Sequence, residues 1–225
     1  MSRVTAFKTE MRLLAVSTVV TTLTLATGGV VGNTPIICGG GTKSCYSLKE
    51  DGTWKDEADL NEARGGTARG NVIMNKKLVI AGGKNGNGNS LATIEVVAPN
   101  TKSETLPIVL PVGISGSPCI VPWDATTFMI IGGHNENGYS NQTYFVNMAT
   151  NTSSPGPSLQ YARTSIGCHI LKVQGSTFII AAGGYNGGGK RTTEYLAKVD
   201  LDSGWRKSKN LQHIRRHEIT QVFSF

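Results

Sequence analysis

The chain has 225 residues, 28 of them glycine, with apolar residues at 39%, charged residues at 16% and a formal charge of +7. Glycine stands well above its usual share of about 7% yet follows no three-residue period, which excludes collagen, and charge is too sparse for a long coiled coil. The apolar content suffices for a packed core over this length, and the basic residues are scattered rather than massed in the kind of arm that binds nucleic acid.

At the N-terminus, Arg3, Lys8 and Arg12 precede a weakly apolar run from Leu13 to Ala26. The layout loosely fits a signal peptide and is too short for a stable membrane span. Thr18, Thr21, Thr22 and Thr24 make a poor hydrophobic stretch, so a strand of the fold or a foreign leader stays equally open. Residues 1–25 are read as a leader-like segment and residues 26–225 as the folded region.

From there four apolar runs each close on a glycine pair. They end at Gly39-Gly40, Gly82-Gly83, Gly132-Gly133 and Gly183-Gly184, with second glycines about 43, 50 and 51 residues apart. One such pair means little; four at this spacing mark an internal repeat. Before each run lies a stretch of small residues: Ala26 to Val31, Gly66 to Met74, Ser115 to Val121 and Ser165 to Leu171. After each run comes a short alternating stretch. Ile94, Tyr144 and Tyr195 stand eleven residues past the second glycine, and Tyr46 six residues past it in the first repeat. Turn residues and Trp54 or Trp205 follow. Every repeat therefore predicts four short strands and no amphipathic helix. The repeats fall near residues 26–62, 63–111, 112–162 and 163–214. A partial fifth begins at 215, where Arg216 to Phe223 reads as a lone first strand.

This signature of apolar strand, glycine pair, polar loop, tyrosine, tryptophan and then arginine resembles the kelch repeat family over residues 26–225. The resemblance implies an all-β fold: a kelch-type β-propeller of about four four-stranded blades, as a partial or open ring, or one closed by the last strand. Departures are Ile94 in place of a tyrosine, and Leu106 and Pro155-Gly156-Pro157 where tryptophan is expected.

Cys38 and Cys45 flank a tight connection between adjacent strands, close enough to predict a disulfide. Cys119 and Cys168 occupy corresponding places in neighbouring repeats and are expected to be too far apart to bond, hence buried thiols. The cysteine pair and the sequons Asn141-Gln142-Thr143 and Asn151-Thr152-Ser153 favour secretion over the cytoplasm. His213 and His217, four apart, lack further ligands, so no metal or cofactor is expected. The Asn/Gly loops after the glycine pairs lack a phosphate-loop pattern and a following helix, and read as hairpin loops.

No nucleophile elbow and no paired-carboxylate cluster stands out. The kelch resemblance implies a non-catalytic module binding a protein or peptide at its loop rim. A propeller-fold enzyme, such as a sugar oxidase or sialic-acid epimerase, is the alternative, and a partial gene product a third. By the same resemblance the rim holds Lys84, His134 and Tyr185, just after the glycine pairs, with Arg64, Arg163 and Arg216 before the inner strands. Such a rim would be positive and would favour an acidic peptide; the competing reading has the arginines paired with acidic neighbours such as Glu62 and Glu218, merely fixing loops.

Overall fold

A computed structural model describes residues 25–67, 70–188, 193–198 and 200–207. Among these residues the chain is all-β, without helix. The leader-like segment up to residue 24 and the fifth-repeat strand from Arg216 to Phe223 lie outside them.

The strands form four antiparallel sheets of four, taken in chain order. Sheet 1 holds β1 (Ala26–Val31), β2 (Thr34–Gly39), β3 (Cys45–Leu48) and β4 (Trp54–Asp56). Sheet 2 holds β5 (Asn71–Met74), β6 (Lys77–Ala81), β7 (Leu91–Val97) and β8 (Glu104–Ile114). In sheet 3, β9 (Cys119–Pro122), β10 (Thr127–Ile131), β13 (Thr143–Asn147) and β14 (Thr152–Pro155) pair in that order. A two-residue hairpin, β11 (His134–Asn135) with β12 (Gly138–Tyr139), projects between its second and third strands. Sheet 4 comprises β15 (Gly167–Val173), β16 (Ser176–Ala182), β17 (Thr193–Ala197) and β18 (Arg206–Lys207).

The strands running into the glycine pairs of sheets 2 and 3, β6 and β10, are buried on both faces, which is why they read as unbroken apolar runs rather than alternating ones; β2 and β16 keep one face half-buried. Ile36 and Cys38 of sheet 1 meet Leu78 and Ile80 of sheet 2. Val79 and Ala81 of sheet 2 meet Phe128 and Ile130 of sheet 3. Met129 and Ile131 of sheet 3 meet Ile179 and Ala181 of sheet 4. A two-residue shift along the strand thus separates the face turned to the preceding sheet from the next residue on that same face, and odd and even positions serve opposite neighbours.

The glycine pairs latch one sheet to the connection leading into the next. Gly83 donates its N–H to Ile114 O (2.7 Å), and Gly133 donates to Arg163 O (2.9 Å); in sheet 1 Gly41 plays this part toward Arg64 O (2.9 Å). The first glycine must be bare. At Gly82, with φ +69°, an added Cβ would stand 2.2 Å from Ile114 O.

The Cys38–Cys45 disulfide forms as expected, between directly paired residues of β2 and β3 with Cα atoms 4.1 Å apart. The expectation for the other two cysteines is overturned: Cys119 and Cys168 are also bonded, with Cα atoms 6.0 Å apart. The physical reason is a one-residue stagger. Cys119 pairs with Ile131, on the face of sheet 3 turned to sheet 4, whereas Cys168 pairs with Ala181, on the face of sheet 4 turned to sheet 3. Corresponding places in the repeat would have pointed the same way; adjacent places point at each other.

Candidate rim site

The residues after the glycine pairs are positioned by backbone. Lys84 and Gly65 exchange both N–H···O bonds (2.8 and 2.9 Å), as do His134 and Ser115 (2.8 and 2.7 Å) and Tyr185 and Thr164 (both 2.9 Å). The same short antiparallel bridge recurs three times, between the residue after a glycine pair and the connection ahead of a sheet. Lys84, His134 and Tyr185 therefore hold corresponding places at the glycine-pair ends of sheets 2, 3 and 4. Lys84 and Tyr185 are exposed and His134 is half-buried.

Arg64 and Arg163 do not join them at the surface. Arg64 is 0% exposed and Arg163 1%. Arg64 donates from Nε to Glu95 (2.9 Å), from one terminal nitrogen to Gly82 O (2.7 Å) and Thr93 O (3.0 Å), and from the other to Thr93 Oγ1 (2.8 Å). Glu95 also accepts from the backbone N–H groups of Asn61 (2.7 Å) and Glu62 (3.2 Å). Arg163 repeats the arrangement: it pairs with buried Glu194 and donates to Gly183 O (3.1 Å), while Gln160 N–H donates to Glu194 (2.7 Å). Burial pushes the Arg163 guanidinium below its ordinary value, and the Glu194 carboxylate pulls it back. Placing these two arginines on a binding rim is thus corrected. Each is a fastener: its carbonyl accepts from the glycine of one sheet while its side chain is bonded into the next. Glu62, the acidic neighbour expected from sequence, stands 3.7 Å from Arg64, farther than Glu95. Arg216, His213, His217 and Glu218 lie outside the described residues.

Sheet 3 solves the same position without charge. Ile114 stands where the arginines stand, since its carbonyl accepts from Gly83 as theirs do from Gly41 and Gly133. Tyr144 stands where the glutamates stand, opposite Ile130 as Glu95 is opposite Ile80 and Glu194 opposite Ala181. Both belong to one buried apolar cluster, and the tyrosine hydroxyl donates to Gln142 (2.8 Å). The strand register also shifts the tyrosine alignment read from sequence. Glu95 and Glu194, not Ile94 and Tyr195, correspond to Tyr144. The sequence did carry a signal for this: both arginines precede their glutamates by 31 residues.

What remains at the surface is aromatic and polar. His134 and Tyr139 face each other across the β11–β12 hairpin, with ring centroids 5.4 Å apart and edge to face. Tyr139 in turn meets Tyr185 of the sheet 4 loop edge to face at 5.5 Å. Loss of solvent and the adjacent Tyr185 phenol raise the Tyr139 hydroxyl above its ordinary value. Beside His134 lies a cavity of about 340 Å³, lined by Lys84, Asn89, Ser90, His134, Asn135, Glu136 and the glycines 88 and 113. Asn85 shapes the adjoining loop, its side-chain oxygen accepting from the N–H groups of Asn87 and Asn89 (both 3.0 Å). These are turn interactions, as the hairpin reading of the Asn/Gly loops expects. Sequence reasoning did not single out Tyr139, Ser90 or Glu136, because loop pairing places them: Tyr139 lies opposite His134 and Ser90 opposite Lys84, on loops whose length differs between repeats.

No protein family matches this sequence, and no curated protein matches it. Among solved structures the chain is similar to one titled "Structure of YjhT", at 17% identity and a TM-score of 0.65, over 85% of this chain and 67% of that one. At this identity the likeness speaks to fold alone. Four face-packed four-stranded sheets and this likeness are consistent with a β-propeller-like fold.

Proposed function

We propose that this chain is a kelch-type β-propeller acting as a non-catalytic binding module, and that a protein segment docks on the glycine-pair end beside His134, Tyr139 and Tyr185. Support for the kelch reading comes from the four glycine-pair repeats and from the backbone latch repeated between successive sheets. The observation that carries the binding reading is the aromatic trio. Tyr139 and Tyr185 remain 37% and 49% exposed although they touch each other. Exposed, pre-ordered tyrosines are costly to leave in water and are enriched where partners anchor. With Arg64 and Arg163 taken up by Glu95 and Glu194, Lys84 is the cation that the described residues keep at the expected rim positions, and Glu136 stands in the same cavity. The partner is therefore read by ring stacking and by amide hydrogen bonds from Asn89 and Asn135.

The experiment selects peptides on the purified chain from a displayed library and measures affinity by fluorescence polarisation. Tyr139→Ala with Tyr185→Ala should weaken the selected peptides at least tenfold, the scale of an interface anchor, with an unchanged melting temperature. Unchanged affinity in the folded double variant would move the site elsewhere. A second reading, a propeller-fold enzyme, draws on the cavity that gathers the His134 imidazole, the Glu136 carboxylate and the Lys84 ammonium. It predicts turnover that His134→Ala abolishes; the binding reading predicts none.

A further inference from the structure

The sequons at Asn141 and Asn151 lie on the same sheet, and the fold treats their asparagine side chains in opposite ways. Asn141 is half-buried, and its side-chain nitrogen donates to Leu159 O (3.1 Å). Its backbone carbonyl accepts from Leu159 N–H (2.8 Å). Thr143, two residues on, is 1% exposed and spends its hydroxyl on Pro157 O (2.8 Å). Both recognition groups of that sequon are thus bound into the junction between β13 and the segment leading to sheet 4. A sugar on the Asn141 nitrogen would have to leave through that junction.

Asn151 stands at the tip of the turn joining β13 to β14, in the left-handed region with φ 56°, and is exposed together with Thr152. The turn is held by other groups: the Asn147 side chain accepts from the N–H groups of Ala149 (2.9 Å) and Thr150 (3.1 Å), and the Thr150 and Thr152 hydroxyls meet at 2.8 Å. The Ser153 hydroxyl of this sequon donates to Val109 O (3.2 Å), but the Asn151 side chain has no part in these bonds. β13 runs away from the glycine pair, so its far turn lies at the end of sheet 3 opposite Gly132 and Gly133. A glycan there leaves the sheet faces and the rim uncovered.

We infer that Asn151 is an N-glycosylation site of this protein and that Asn141 is not. Two disulfides point to folding in an oxidising compartment, which is where such transfer takes place. The donor is a polyisoprenyl-pyrophosphate oligosaccharide. The Asn151 Nδ2 forms a bond to the anomeric carbon, and the bond from that carbon to the pyrophosphate oxygen breaks. The lipid pyrophosphate leaves with the electron pair, and the amide proton passes to a base of the transferase. Transfer precedes folding, so the folded structure decides which glycan can be kept: one at Asn151 costs no native contact, whereas one at Asn141 crowds a bonded, half-buried nitrogen.

The test directs the full chain into the secretory pathway of a eukaryotic host behind a cleavable signal. Glycopeptide mass spectrometry then reads occupancy in the secreted and the intracellular lumenal pools. Expected are a glycan at Asn151, its complete loss in Asn151→Gln, its retention in Asn141→Gln, and an unmodified Asn141 in the secreted pool. A bare Asn151 in both pools, or an occupied Asn141 in secreted, protease-resistant protein, would overturn the inference.

Discussion

Replacing Arg64 by alanine should be among the most damaging single changes in the chain. The substitution removes four side-chain hydrogen bonds, to Glu95, Gly82 O, Thr93 O and Thr93 Oγ1, and leaves the fully buried Glu95 carboxylate with only two backbone donors. Breaking one side of a buried ion pair typically costs about 3–5 kcal/mol, a large part of the total stability of an ordinary domain. At about 2–4 °C per kcal/mol for a chain of this size, the melting temperature should fall by roughly 6–20 °C. Sheet 3 supplies the compensating design, because Ile114, Gln142 and Tyr144 fill the places of Arg64, Thr93 and Glu95 without charge. Thermal melts followed by circular dichroism on Arg64→Ala and on the triple variant R64I/T93Q/E95Y decide the matter. The triple variant should recover more than half of the loss, since replacing a buried pair by well-packed groups is often close to neutral. A fall of less than about 3 °C in Arg64→Ala would refute the fastener reading, because it would mean a cost near 1 kcal/mol. A triple variant no better than the single one would refute the equivalence of the two solutions.

Loop length separates the two disulfides: Cys119–Cys168 spans 49 residues and Cys38–Cys45 spans 7. On the chain-entropy argument, removing the first by C119A/C168A should cost roughly 4 kcal/mol and removing the second by C38A/C45A about 2.5 kcal/mol; urea midpoints in the reverse order would contradict this. Gly82→Ala should cost several kcal/mol, since a Cβ would sit 2.2 Å from Ile114 O, whereas Gly32→Ala, also at positive φ but in open space, should cost about 1 kcal/mol; equal melting shifts would remove the close approach as the cause. Burial pushes the Glu57 carboxyl up, but the Ser47 hydroxyl, Asn100 N–H and Lys55 outweigh it and hold the group below its ordinary 4.5. The stability it lends is therefore present above about pH 4.5 and is lost as pH falls through its lower folded value. Glu57→Gln should lower the melting temperature at pH 7 and flatten its decline below pH 4.5; an unchanged pH profile would exclude this carboxylate as a source of acid sensitivity.

The amino-acid sequence alone was enough to establish the four-strand repeat and its all-β character. Glycine pairs and apolar runs are local demands, set by backbone conformation at the strand end and by burial of the strand itself, and each repeat restates them. It also located the Cys38–Cys45 bridge, because seven residues across one turn leave little freedom. The partners that cross from one sheet to the next were decided by tertiary structure. Arg64 reads as a rim cation until the sheets pack and Glu95 closes on it, and Cys119 reads as a lone thiol until a one-residue stagger turns it toward Cys168. In both cases the deciding quantity is which face of a strand a residue occupies relative to the neighbouring sheet. A repeat spacing uncertain by one residue inverts that face, so only the register of the assembled sheets could settle it.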